Sequence, residues 1–164
     1  MKLIIKNKFM SFHENSYVKN EQDQDVCRVK GKLISITHKK RIMTLDKKVK
    51  YVVRDKWPTF WFHSAFICDE KGKKLARVKR KLGVNQNYVI EGMADEMHVE
   101  GDFFGSDMRV YRNGEYVGSI SIEFFKLVDT FVLNVVDGQD EFFLVALVIA
   151  IDNIKDKYSR DSKS

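Results

Sequence analysis

Seven cations of this chain sit in or beside a repeated frame: Lys30 and Lys32, Arg54 and Lys56, and Arg77 with Lys79 and Lys81. The frames are VKGKL (29–33), VRDKW (53–57) and VKRKL (78–82), and IKNKF (5–9) is a fourth copy. Each copy has a β-branched residue, a cation, any residue, a second lysine and a large apolar residue, and successive copies start 24, 24 and 25 residues apart. Rows of cations catalyse nothing alone, but they attract anions additively, as a polybasic surface attracts phospholipid headgroups. Lysines on strands also serve simply to keep a sheet solvated and unaggregated. The frame suits either role.

Other residue types with chemical potential give weaker patterns. His13, His38 and His63 follow successive copies of the frame. Equivalent positions two strands apart lie ~9.6 Å from each other. Metal ligands must converge to ~2 Å of the ion, so these three read as loop histidines and no metal is expected. Cys27 reads as a small core residue, and Cys68, beside a turn, as partly exposed. Asp152, Asp156 and Asp161 lack the spacing and the loop glycine of a calcium loop and read as three solvated carboxylates. Asp129, Asp137, Asp140 and Glu141 could form an acidic rim, but nothing pairs them as acid and base. No phosphate-binding loop, dinucleotide fingerprint or nucleophile–base motif is present, so neither an enzyme nor a cofactor is expected.

The net charge of +6 hides a division. Residues 1–81 carry 22 Lys/Arg against 8 Asp/Glu, and residues 82–164 carry 7 against 15. Such a split within one domain points to a basic and an acidic face, and to an anionic partner. Two cysteines are too few for a disulfide framework, which fits a reducing compartment, and MKLIIKNK has too short an apolar stretch for a signal peptide. The longest apolar run, residues 142–151, is half of what a membrane-spanning helix needs. A cytosolic chain with no transmembrane segment is expected.

The elements that must carry the cations follow from the same period. VEGDF (99–103) and ISIEF (120–124) continue the apolar frame after Val78 at intervals of 21, with acidic or neutral residues replacing the cations. Each of the six copies is followed by a second short apolar segment, among them AFIC (65–68), NYVI (87–90) and MRVY (108–111). Turn-forming clusters separate them, and Asn113-Gly114 between two alternating runs is a strong hairpin signal. Short strands at regular spacing predict an all-β barrel or sandwich, with twelve antiparallel strands in a meander of six hairpins. Alternation puts Val29, Val53, Val78 and Val99 inside and their cationic or acidic neighbours outside. The lone proline, Pro58, falls at a strand end.

The stretch DEFFLVALVIAIDNIKDKYS (140–159) breaks this rhythm. Asp140 is suited to cap a helix, and the apolar middle lacks a polar face, so the helix must be enclosed or lie in a membrane. A barrel of more than eight strands needs something in its lumen. A helix of about 16 residues would be ~24 Å long, matching the height of such a wall.

KNKFMSF (6–12), VKGKLIS (29–35), EGDFFGSD (100–107), FFKLVDTFVLNVVDG (124–138) and DEFFLVALVIAID (140–152) together resemble the LURP-one-related family, in its bacterial branch. That family belongs to the tubby C-terminal-like superfamily and is related to the phospholipid scramblases. The resemblance implies a twelve-stranded barrel closed around a C-terminal hydrophobic helix, here a domain over 1–158 with a polar tail at 159–164. Tubby domains bind phosphoinositides, but no motif in this chain matches their binding residues, so no site is carried over. The expected function is a non-catalytic module meeting anionic headgroups through Lys30, Lys32, Arg54, Lys56, Arg77, Lys79 and Lys81. The alternative is a protein-interaction or structural platform. Nucleic-acid binding ranks third, because aromatics interleaved with lysines are confined to residues 57–62. A monomer is expected.

Overall fold

The structure, a computed structural model, describes residues 1–6, 16–31, 39–55, 64–83, 85, 87–102, 106–123 and 130–161, with side chains as far as residue 156. Lys32, Lys56, Pro58, Asp129, the three loop histidines, the 57–62 aromatics and the Asp161 side chain lie outside the described residues.

Twelve strands form one closed antiparallel barrel in which each strand pairs with its sequence neighbours and β1 pairs with β12. They are β1 (Lys2–Lys6), β2 (Ser16–Asn20), β3 (Asp25–Gly31), β4 (Lys40–Met43), β5 (Val49–Asp55), β6 (Ser64–Cys68), β7 (Lys74–Arg80), β8 (Tyr88–Glu91), β9 (Met97–Gly101), β10 (Asp107–Arg112), β11 (Glu115–Glu123) and β12 (Thr130–Val135). All six copies of the frame fall on odd-numbered strands. Val29, Val53, Val78 and Val99 are at most 1% exposed, as alternation requires.

The two-dozen-residue period is visible in the turns as well. Asn20, Thr44 and Asp69 open the β2–β3, β4–β5 and β6–β7 turns, and in each a backbone N–H three residues on donates to the opening carbonyl. That third residue, Asp23, Lys47 or Gly72, has φ of 60°, 68° or 87°, and glycine is the only one of the three without a Cβ penalty there. The opening side chain accepts from the turn: Asn20 from Gln22 and Gln24, Thr44 from Lys48, Asp69 from Lys71 and Lys73. A side-chain oxygen stands in for a backbone acceptor in all three, which is why such different residues make one turn. The β10–β11 hairpin turns on Asn113 and Gly114, with φ of 51° and 80°, the pair of positive values that a type I′ turn demands.

Helix α1 (Glu141–Asp161) fills the lumen. Nine consecutive residues from Phe143 to Ile151 are at most 4% exposed. At 100° per residue such a run is buried in every direction, which only an enclosing wall provides. The helix has 21 residues, about 31 Å, and so outlasts the expected plug.

Asp140 caps it: the Phe143 N–H donates to Asp140 Oδ1 at 2.9 Å. The Tyr51 hydroxyl on β5 donates to the other carboxylate oxygen at 2.5 Å, and its ring packs edge-on against Phe143. Burial, then the bond to Asp140, hold the Tyr51 phenol well above its usual range. The cap is therefore also the joint between helix and wall. Asp140→Ala removes both bonds and should cost about 1–2 kcal/mol, read as a lower urea midpoint with an unchanged slope.

Two expectations are corrected. Cys68 is fully buried, because a register shift between Ile67 and Cys68 carries it under the β6–β7 pairing. Asp152 is 4% exposed and lies 3.9 Å from Lys40 Nζ, so it is no solvated carboxylate.

Candidate functional site

The basic strands bring their cations together by pairing rather than by sequence. Lys30 on β3 faces Arg41 on β4 across the ladder. With Arg28 and Lys47 they line a groove of about 340 Å³ whose remaining walls are Met43 and Val49, and no carboxylate belongs to this lining. The Arg28 guanidinium lies 5.6 Å from the centre of the Tyr17 ring, which holds it flat on the wall. Four cations with an apolar floor can take a phosphate and rest acyl or ring carbons beside it.

Beyond β5 the wall changes character. Arg54, Phe66, Arg77 and Glu91 form one cross-strand row. Arg54 and Lys79 are half-buried where full exposure was expected. Arg54 stands opposite Phe66 across the β5–β6 ladder, and Lys79 is held by Glu91 at 2.9 Å. Arg77 Nε donates weakly to Ser64 Oγ at 3.4 Å, and Lys74 Nζ stands 4.4 Å above the Phe66 ring. Lys81, past the end of β7, is exposed. An ion pair on a solvated face contributes little to stability, but its carboxylate offsets the cation that a partner would otherwise meet. Among the described residues, β3 and β4 contribute Arg28, Lys30 and Arg41 to a groove whose lining holds no carboxylate.

Arg41 was missed in the sequence because it stands on an even strand, outside the frame. Only the Lys30–Arg41 register places it. Inside the barrel a second group also went unread: Lys40 Nζ donates to Asn153 Oδ1 at 2.8 Å, and Asn153 Nδ2 donates to Asp55 Oδ1 at 3.0 Å. With Asp152 this chain of polar groups ties the lower half of the helix to β4 and β5.

The opposite face is different. β10 is six strands from β4 in a barrel of twelve, half the circumference away. There a polar depression of about 1,090 Å³ is lined by Glu100, Asp102, Asp107, Asn134 and other polar residues, with Arg109 the one cation of its lining. Asp102 is used locally, accepting from the Ser106 N–H and hydroxyl at 2.7 and 2.5 Å. Among the described residues, no cluster of three or more His, Cys, Asp or Glu is placed to hold a metal.

A closed twelve-stranded barrel around one C-terminal helix is thus combined with a two-sided charge distribution. The family model described as LURP-one-related matches residues 1–152. The chain belongs to the LURP-one-related family. In this LURP-one-related chain the matched region takes in every strand and most of the buried part of the helix, through Asp152. No curated protein and no solved structure matches the chain. Among the described residues no helix is long and apolar enough to cross a membrane.

Proposed function

We propose that this LURP-one-related chain is a non-catalytic binding module that meets anionic phospholipid headgroups through its basic strands, in the cytosol. The observation that carries the reading is the groove at Lys30 and Arg41: four cations, an apolar floor and no carboxylate in the lining. Arg54, Arg77, Lys79 and Lys81 extend the positive surface along the barrel, and Lys32 and Lys56 add to it in sequence. Arg28, Arg41 and Lys47 join the set through the geometry of the groove.

Each exposed cation near an anionic bilayer contributes about 1 kcal/mol. Reversing Lys30, Arg41 and Lys81 to Glu should therefore weaken binding by about 3 kcal/mol or more, upwards of a hundredfold. Flotation with phosphatidylserine-containing vesicles at low and moderate salt measures this. Wild-type protein should co-float at low salt and be released as salt is added, because these charges are solvent-exposed. Failure to co-float at low salt, or equal co-flotation of the triple variant, would leave the barrel as a protein-interaction platform with a solvated face.

A further inference from the structure

The charge of this barrel is divided along its axis as well as around it. In an antiparallel meander all odd strands run the same way, and every copy of the frame is on an odd strand. The basic copies therefore bring their cations to one end of the barrel: Lys6 closes β1, Lys30 and Arg54 are next to last in β3 and β5, and Lys79 and Arg80 close β7, with Lys81 just past it. The other end consists of the segments 20–25, 44–48, 69–73, 92–96, 112–115 and 136–141. All of these are described, and together they carry twelve Asp/Glu against five Lys/Arg, a net of −7.

A particle charged in this way feels a torque at an anionic plane. The longest strand, β11 with 9 residues, is about 30 Å long, nearly four Debye lengths of ~8 Å at physiological salt. With the barrel upright, its acidic end stands outside the field of the surface while the basic end lies within it. Laid on its side, the barrel brings acidic turns into that field, and each opposes binding. A second observation marks the same end. Leu82, directly after Lys81 in the β7–β8 connection, is 76% exposed, the most of any large hydrophobic side chain among the described residues. An apolar side chain beside a cation is the pairing that suits the headgroup–acyl boundary.

We propose that the barrel docks end-on against an anionic bilayer, through the β1–β7 arc of its basic end, with the acidic turns facing away from the membrane. Glu100, Asp102 and Glu123 close the β9–β11 arc of that end and tilt the contact toward the lysines. The proposal rests on the headgroup reading, keeps Lys30 and Arg41 of its groove as the contact and leaves out Lys47, which belongs to the 44–48 turn of the acidic end, and adds to that reading a direction.

Two labelled forms test it. Gly83→Cys lies at the basic end, where a new Cβ meets nothing within 4 Å, and Gln22→Cys lies exposed at the acidic end. Both native thiols are buried, and burial pushes Cys27 up to about 12, so a thiol-directed dye reaches the introduced cysteine in the folded protein. With phosphatidylserine–phosphatidylcholine vesicles carrying brominated acyl chains, an environment-sensitive dye at position 83 should shift to the blue and be quenched on binding. The dye at position 22 should do neither. Two exposed leucines give an independent reading: Leu82→Asp should weaken binding about tenfold, whereas Leu45→Asp, 51% exposed at the acidic end, should leave it unchanged. Co-flotation with equal dye responses, or with equal effects of the two leucine variants, would mean side-on docking and overturn the proposal. No co-flotation at all would overturn the headgroup reading, and this one with it.

Discussion

Ala146→Lys leaves no folded barrel. Ala146 is 0% exposed at the middle of the nine buried residues of α1, with Val145, Leu147 and Val148 at 0–1% on its other sides. An ammonium there has no carboxylate on the same turns of the helix, and Asn153, with its Lys40 and Asp55 partners, comes two turns later. Stripping a lysine of water without a partner costs several kcal/mol even after relaxation. The helix must also shift to make room for four methylenes in a close-packed lumen, a further 1–3 kcal/mol or so. Together these approach the roughly 5–15 kcal/mol by which a domain is stable. The expected result is an insoluble product, or a chain without a cooperative thermal transition by circular dichroism. A soluble variant melting at the wild-type temperature would mean that the helix is not enclosed.

Lys40→Met should be the second most damaging exchange. Lys40 is almost wholly inside, with 13% of its side chain exposed, and it is placed between Asp152 at 3.9 Å and the Asn153 amide oxygen at 2.8 Å. The Asn153 amide then hands its own donor to Asp55 at 3.0 Å. Methionine keeps the volume but withdraws the positive charge from the two buried carboxylates, and removing one partner of a buried pair costs about 3–5 kcal/mol. Urea unfolding should show that loss in full, while Lys48→Met, an exposed turn lysine paired with Asp46, should fall within about 0.5 kcal/mol of wild type. Equal stability of the Lys40 and Lys48 variants would show that the internal chain does not hold the helix.

What could be read from the residues in order was local. The valines at 29, 53, 78 and 99 go inside because alternation has a period of two and needs no partner to be known. The Asn113-Gly114 turn and the Asp140 cap depend on a few adjacent backbone groups. The apolar stretch after Asp140 had to be enclosed because it has no polar face. The count of strands and the lumenal helix followed from these. What depended on pairing could not be read in this way. Arg41 joins Lys30 only through the β3–β4 register, and Lys79 is paired with Glu91 only because β8 lies beside β7. Asp152, directly after an apolar run, reads as solvated until β4 and β5 bring Lys40 and Asp55 to that part of the helix. Cys68 looked half-exposed until a register shift turned it under the sheet. The separation of charge along the barrel axis has the same origin: the repeat is written in the sequence, but its common direction exists only once the odd strands run parallel in a closed meander. Local chemistry determines which way a side chain points; the tertiary structure decides what it meets there.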